Sequence, residues 1–160
     1  MNATHLHLLL NHLPVLGTLF GLGLLLFGIW RKSTELKKTS LGVLVLVALA
    51  AVPVYLTGEP AGDAVESLPG VSKPIMEQHE EAAGFAFTGS LVLGGAALCG
   101  LIFFRNGRAL PVWYGTSLLL ACLIVGGLVV WSASLGGQIR HTEIRAGNGP
   151  PAASGSKEGD

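Results

Sequence analysis

The sequence predicts an all-α integral membrane protein, a four-helix bundle of two antiparallel hairpins with both termini on the non-cytoplasmic side. Three observations predict it. Half of the 160 residues are apolar and only 12% are charged, a balance outside the range of a water-soluble domain of this size. Four continuous apolar stretches can each cross a hydrocarbon core of roughly 30 Å at about 1.5 Å per helical residue. Bases gather in the first and third connections and acids in the second. A spanning sheet is disfavoured, because the stretches do not alternate in polarity and a sheet would have to close as a barrel.

The first stretch, Leu6 to Trp30, lacks a basic leader and runs into Arg31 and Lys32 without a small-residue cleavage site. It reads as a mature helix rather than a signal peptide. The second, Leu41 to Thr57, is the shortest and contains Pro53; the third runs from Ala82 to Phe104 and the fourth from Leu110 to Leu135. With their flanks they give helices over about residues 5–30, 40–57, 77–104 and 110–137, one transmembrane domain spanning 1–146. Residues 147–160 are Gly, Pro, Ala and Ser with mixed charge, offer no apolar surface to bury, and are expected to be disordered.

The loop from Arg31 to Lys38 contains Arg31, Lys32, Lys37 and Lys38, and the short loop from Arg105 to Arg108 adds two bases, against the single acid Glu35. These loops are expected to face the cytoplasm. The connection from Gly58 to Glu81 holds Glu59, Asp63, Glu66, Glu77, Glu80 and Glu81 against Lys73, which suits the opposite side. Zero formal net charge indicates no nucleic-acid partner. Cys99 and Cys122 lie inside helices without a Cys-x-x-Cys pattern and read as small buried hydrophobes.

All five histidines, His5, His7, His12, His79 and His141, fall at the outer end of this arrangement. Polar residues collect there in any case, so one-sidedness alone carries little. Position carries more: His12 interrupts an apolar helix, where an ionisable side chain is costly unless it faces the bundle interior with a partner. On a helical wheel His5 and His12 lie within about 20° of each other, and His7 with Asn11 forms a second polar stripe. On the third helix His79, Ala83, Ala86, Ser90 and Ala97 fall within about 40° of one direction. Such a small-residue column permits close helix approach and leaves room for a flat macrocycle. On the fourth, Gly127, Ser134 and Gly137 lead toward His141, although Gly136-Gly137 could end the helix first.

The preferred chemistry is a non-covalently held b-type haem, because neutral imidazoles from different helices can fill both axial positions inside a bundle. His5, His12, His79 and His141 are the candidate ligands. His79 pairs with His5 on equal depth or with His12 on burial, His12 lying roughly 10 Å deeper than His5. The alternative is a transition-metal ion held by histidines, His7 among them, and Glu59, Glu80 or Glu81, residues that could instead orient imidazoles from outside. With no cofactor, the histidines are hydrogen-bonded structural groups. The segment His79-Glu80-Glu81-Ala82-Ala83 has alanine where a zinc-protease motif needs its second histidine. Gly17, Gly21 and Gly28 read as helix packing.

The opening Asn2-Ala3-Thr4-His5-Leu6-His7, the segment Asn11-His12-Leu13-Pro14-Val15 and the exit Leu135-Gly136-Gly137-Gln138-Ile139-Arg140-His141 resemble the bacterial four-helix membrane family called domain of unknown function 2231. That family tends to open with a histidine-proline motif and to close with Gly-Gly followed by a histidine. The resemblance covers roughly residues 5–143; here Leu13 separates His12 from Pro14, and Ile139-Arg140 precedes His141. It implies a bacterial inner-membrane protein with recurring histidines, related to membrane cytochromes, and the loop charges place both termini of such a protein in the periplasm. The expected function is a small electron-transfer or accessory subunit, rather than a stand-alone enzyme, embedded in lipid beside other respiratory subunits. The rivals are a non-redox structural or assembly subunit and, third, a metal-ion carrier, disfavoured because the inner half holds few polar groups.

Overall fold

The computed structural model describes residues 2–145 and is all-helical over them, so the call of a disordered tail at 147–160 lies outside the described residues. The helices are α1 (Ala3–Leu10), α2 (His12–Trp30), α3 (Thr34–Val65), α4 (Lys73–Phe103) and α5 (Val112–Arg140), followed by a short 3-10 turn at Thr142–Ile144. Taken as one segment, Ala3–Trp30 joins α3, α4 and α5 to make four helices long and apolar enough to cross a membrane.

The first span breaks at Asn11. Pro14 supplies no backbone N–H, so the Leu10 carbonyl has no partner four residues on and the ladder is interrupted there. Pro53 and Pro60 remove two further donors, yet α3 runs through both. Between the two prolines the Thr57 hydroxyl bonds back to its own helix, donating to the Pro53 carbonyl at 2.7 Å and to that of Val54 at 3.1 Å. The expectation that the second helix spans 40–57 falls short at both ends. Ser33 caps its start by accepting from the Leu36 amide, and the polar run from Gly58 to Val65 continues the helix past the apolar stretch.

Each helix packs beside the next, and α2 also meets α5, closing a four-membered ring; α1 lies mainly on α3. Small residues set the close approaches. A methyl on Gly28 would lie 2.9 Å from the Lys37 amide, on Gly21 2.8 Å from Leu44, and on Gly17 2.5 Å from Val47. Contacts thus descend along α2 as they climb α3. Between α3 and α4 the same role falls to Gly94 against Ala48 and to Gly100, where a methyl would lie 2.7 Å from Leu41. In lipid the apolar surfaces gain little from mutual burial, so this close backbone packing is what holds helices together. The Ser40 hydroxyl adds a buried cross-link, donating to the Gly21 carbonyl at 2.8 Å. The core at mid-height is Leu25, Leu41, Leu44, Leu93, Ala97, Leu118, Cys122 and Val125.

Candidate functional site

The buried stripe of α2 runs through Pro14, Thr18, Gly21, Leu25 and Gly28. Continued upward across the break at the same three- and four-residue steps, it meets Asn11 and His7, both partly buried. The buried stripe of α4 includes Ala82, Ala86, Ser90 and Ala97 and, continued upward, meets His79, also partly buried. His7 on α1 and His79 on α4 are thus each partly buried, at the same end of the bundle and on different helices.

Both rings are held the same way. His7 Nδ1 lies 3.0 Å from the Val54 carbonyl on α3, and His79 Nδ1 lies 2.9 Å from the Ser132 carbonyl on α5. A carbonyl oxygen only accepts, so each Nδ1 carries a proton and donates it, an arrangement that in the neutral tautomer leaves the lone pair on Nε2. A hydroxyl flanks each bond at 3.4 Å from Nδ1, Thr57 beside His7 and Ser132 beside His79. A glycine stands four residues past each acceptor, and only at Gly136 is the ring close enough to need the missing side chain. A methyl on Gly58 would stand 3.6 Å from His7 Cε1, and on Gly136 3.1 Å from His79 Cε1. Imidazoles whose orientation is fixed at Nδ1 could each offer Nε2 to a metal or to a haem iron.

The other candidates lie elsewhere. His5 and His12 are exposed; their stripe continues through Leu9, Leu16, Leu19, Leu26 and Trp30, all exposed large hydrophobics. The expectation that His12 faces the interior is thus corrected: the face that carries it also carries the bulky residues suited to lipid, whereas the His7 face carries small ones. His141 is exposed and lies on the rim, its Nδ1 2.7 Å from Glu143 Oε1. The stripe expected to lead to it is not the interior one, for Gly127 and Ser134 are exposed while Cys122, Val125, Gly126, Val129 and Ser132 are buried. The Gly136-Gly137 pair does not end α5, which runs to Arg140.

The acids do not join the histidines. Glu59, Glu80 and Glu81 are exposed, and Glu80 lies over Gly62, where a methyl would be 3.4 Å from its Oε1. Among the described residues no group of three or more His, Cys, Asp or Glu side chains is placed to hold a metal ion. Below the rings two polar atoms are buried without a partner, Asn11 Oδ1 and Thr18 Oγ1.

Sequence reasoning places His7 only in the alternative metal-ion set, yet the sequence also pairs it with His79. Superposing the two inward stripes aligns His7 with His79, Gly17 with Gly89, Thr18 with Ser90, Gly23 with Gly95 and Gly28 with Gly100, all at one constant spacing. His5 aligns with Glu77 and His12 with Gly84, neither of them a histidine. Compared with family models, with curated proteins and with solved structures, the chain finds no match.

Proposed function

We propose that the chain is a small bacterial inner-membrane electron-transfer subunit that holds one b-type haem between His7 and His79. In this reading it is two antiparallel hairpins with both termini in the periplasm, akin to the family of domain of unknown function 2231, and lies beside other respiratory subunits. The observation that carries it is the matched pair of partly buried imidazoles, each donating Nδ1–H to a carbonyl of a neighbouring helix. The haem would supply reversible one-electron chemistry. The chain supplies the rest. The Val54 and Ser132 carbonyls fix ring orientation and raise the donor strength of Nε2. Gly136 admits the His79 ring, and the apolar core beneath shields the site from water.

The test is an absorption spectrum of the purified protein before and after dithionite. A sharp low-spin b-type change, with one haem per chain by pyridine extraction, is the expected result. Protein recovered folded from haem-replete cells with neither haem nor spectral change overturns the reading. The scaffold reading then takes its place, favoured by one observation: the two histidine–carbonyl bonds already staple α1 to α3 and α4 to α5. Orientation is tested separately, since a C-terminal alkaline phosphatase fusion is active only if that terminus is periplasmic.

A further inference from the structure

At the end of the bundle away from the histidines, α4 runs out at Phe103 and the chain reverses through Arg105-Asn106-Gly107-Arg108. Asn106 and Gly107 both take left-handed backbone angles, φ 58 and 77°, and the Arg108 amide bonds back to the Arg105 carbonyl at 3.4 Å. A reversal with two successive positive-φ residues is a tight turn, and it brings the two arginines at its ends together. They flank an open cavity of about 460 Å³ whose other walls are Ile102, Phe103 and Asn106. Among the described residues neither guanidinium is ion-paired, both ion pairs lying elsewhere.

The same end carries the marks of a bilayer surface. Trp30 is 73% and Trp113 66% exposed, and the apolar wall continues the exposed face of α4, with Phe103 at 66%. Exposed tryptophans at the ends of spanning helices sit at headgroup level. A cavity there with two unpaired guanidiniums above and an apolar wall below matches a ligand that is anionic at its head and apolar beneath. Guanidinium forks bind phosphate oxygens bidentately.

We propose that the Arg105–Arg108 turn is a binding site for an anionic phospholipid, its phosphate held by the two guanidiniums and its acyl chains laid along Ile102 and Phe103. The site needs the loop to lie at a bilayer surface, on whichever side, and does not need the histidines to carry haem.

The experiment measures phosphatidylglycerol binding to the full chain by native mass spectrometry and by titration in nanodiscs of zwitterionic lipid. The wild type is expected to bind phosphatidylglycerol in preference to phosphatidylcholine. Arg105→Gln or Arg108→Gln should each lose about fivefold in affinity and the double variant about thirtyfold, whereas Arg31→Gln, in the other basic loop, should lose far less. The single variants carry the test should the double variant not be recovered folded. Equal loss in Arg31→Gln would mean diffuse surface charge and overturns the site. Displacement of the lipid by millimolar inorganic phosphate would mean a free-phosphate site and also overturns it, as would equal binding of the zwitterionic lipid.

Discussion

His7 of α1 in the first half of the chain reaches a carbonyl of α3 at 3.0 Å, and His79 of α4 in the second reaches one of α5 at 2.9 Å. The glycine four residues beyond that carbonyl stands differently in the two halves. A methyl on Gly58 would meet His7 at ordinary contact distance, 3.6 Å, whereas one on Gly136 would press on three atoms of the His79 ring, the nearest at 3.1 Å. The first half is also the irregular one, with a break at Asn11 and with Pro53 and Pro60 inside α3. The second half has uninterrupted helices. A kinked pair of helices can seat an imidazole without a fitted gap; a straight pair needs the missing side chain to do so.

The largest expected effect tests whether the halves act together. Under the proposed haem site, His7→Ala and His79→Ala each abolish the low-spin spectrum while the protein remains inserted, because a single remaining imidazole leaves one axial position open. His5→Ala and His12→Ala, on the exposed face, retain a full haem complement. Retention of the full spectrum in His7→Ala, or its loss in His12→Ala, would return the assignment to the other stripe.

The second effect separates the halves in sign. Gly136→Ala forces the His79 ring aside and is expected to destabilise by about 1–3 kcal/mol, the usual range for overpacking, and to weaken any cofactor bound there. Gly58→Ala meets no such obstacle and replaces a helical glycine, so it should be neutral or stabilise by up to about 1 kcal/mol. Reversible unfolding in mixed micelles measures both. Equal costs at the two positions would show that the two rings are equally confined.

How much of this was legible in the sequence depends on the residue. The four spans were, since apolar runs and charged loops report directly on lipid. Gly17, Gly21 and Gly28 were also read correctly as packing, and they meet α3. Which of the two polar stripes of the first span is buried is not settled by depth and polarity at its outer end, where His5 and His12 are exposed and His7 and Asn11 partly buried. Following each stripe to the inner end settles it: one leads to Thr18, Gly21 and Gly28, the other to Leu16, Leu26 and Trp30. The acceptors were not legible. Val54 and Ser132 act through main-chain oxygens, which every residue possesses, so nothing in their identity marks them. The length of α3 was hidden by Pro60, whose local preference against helix interiors is overridden by packing on its neighbours.

The third effect compares Thr18 with Ser90, equivalent positions below the two histidines. Ser90 Oγ donates to the Ala86 carbonyl at 2.7 Å, while Thr18 Oγ1 is buried without a partner. An unsatisfied buried hydroxyl costs roughly 1–3 kcal/mol. Thr18→Val, which keeps the shape, should therefore stabilise by about 1 kcal/mol. Ser90→Ala should change stability by no more than about 0.5 kcal/mol, since a hydroxyl bonded back to its own helix adds little. A loss on Thr18→Val would mean that the hydroxyl has a partner in the membrane, such as a buried water.

The smallest effect concerns a clasp that only the second half possesses. Beyond α5, Arg145 donates to the Gln138 and Ile139 carbonyls and, across the bundle, to the Gly70 carbonyl at 2.7 Å. Beside it Glu143, held by its own backbone amide and by His141, has its carboxyl below the usual carboxylate range. A carboxyl depressed in the folded state contributes stability above its unfolded pKa and loses it as pH falls through the folded value. The clasp should therefore be intact at neutral pH and loosen only on acidification below the usual carboxylate range. Hydrogen exchange at the Ile144 and Arg145 amides should speed up on acidification in the wild type. In Glu143→Gln it should already be faster at neutral pH and change little with acid. Both carboxyl partners are exposed to solvent, so the change should stay confined to this end and leave the melting temperature of the bundle unmoved. A shift of the whole bundle would show instead that Gly70 and Arg145 hold the second half in place.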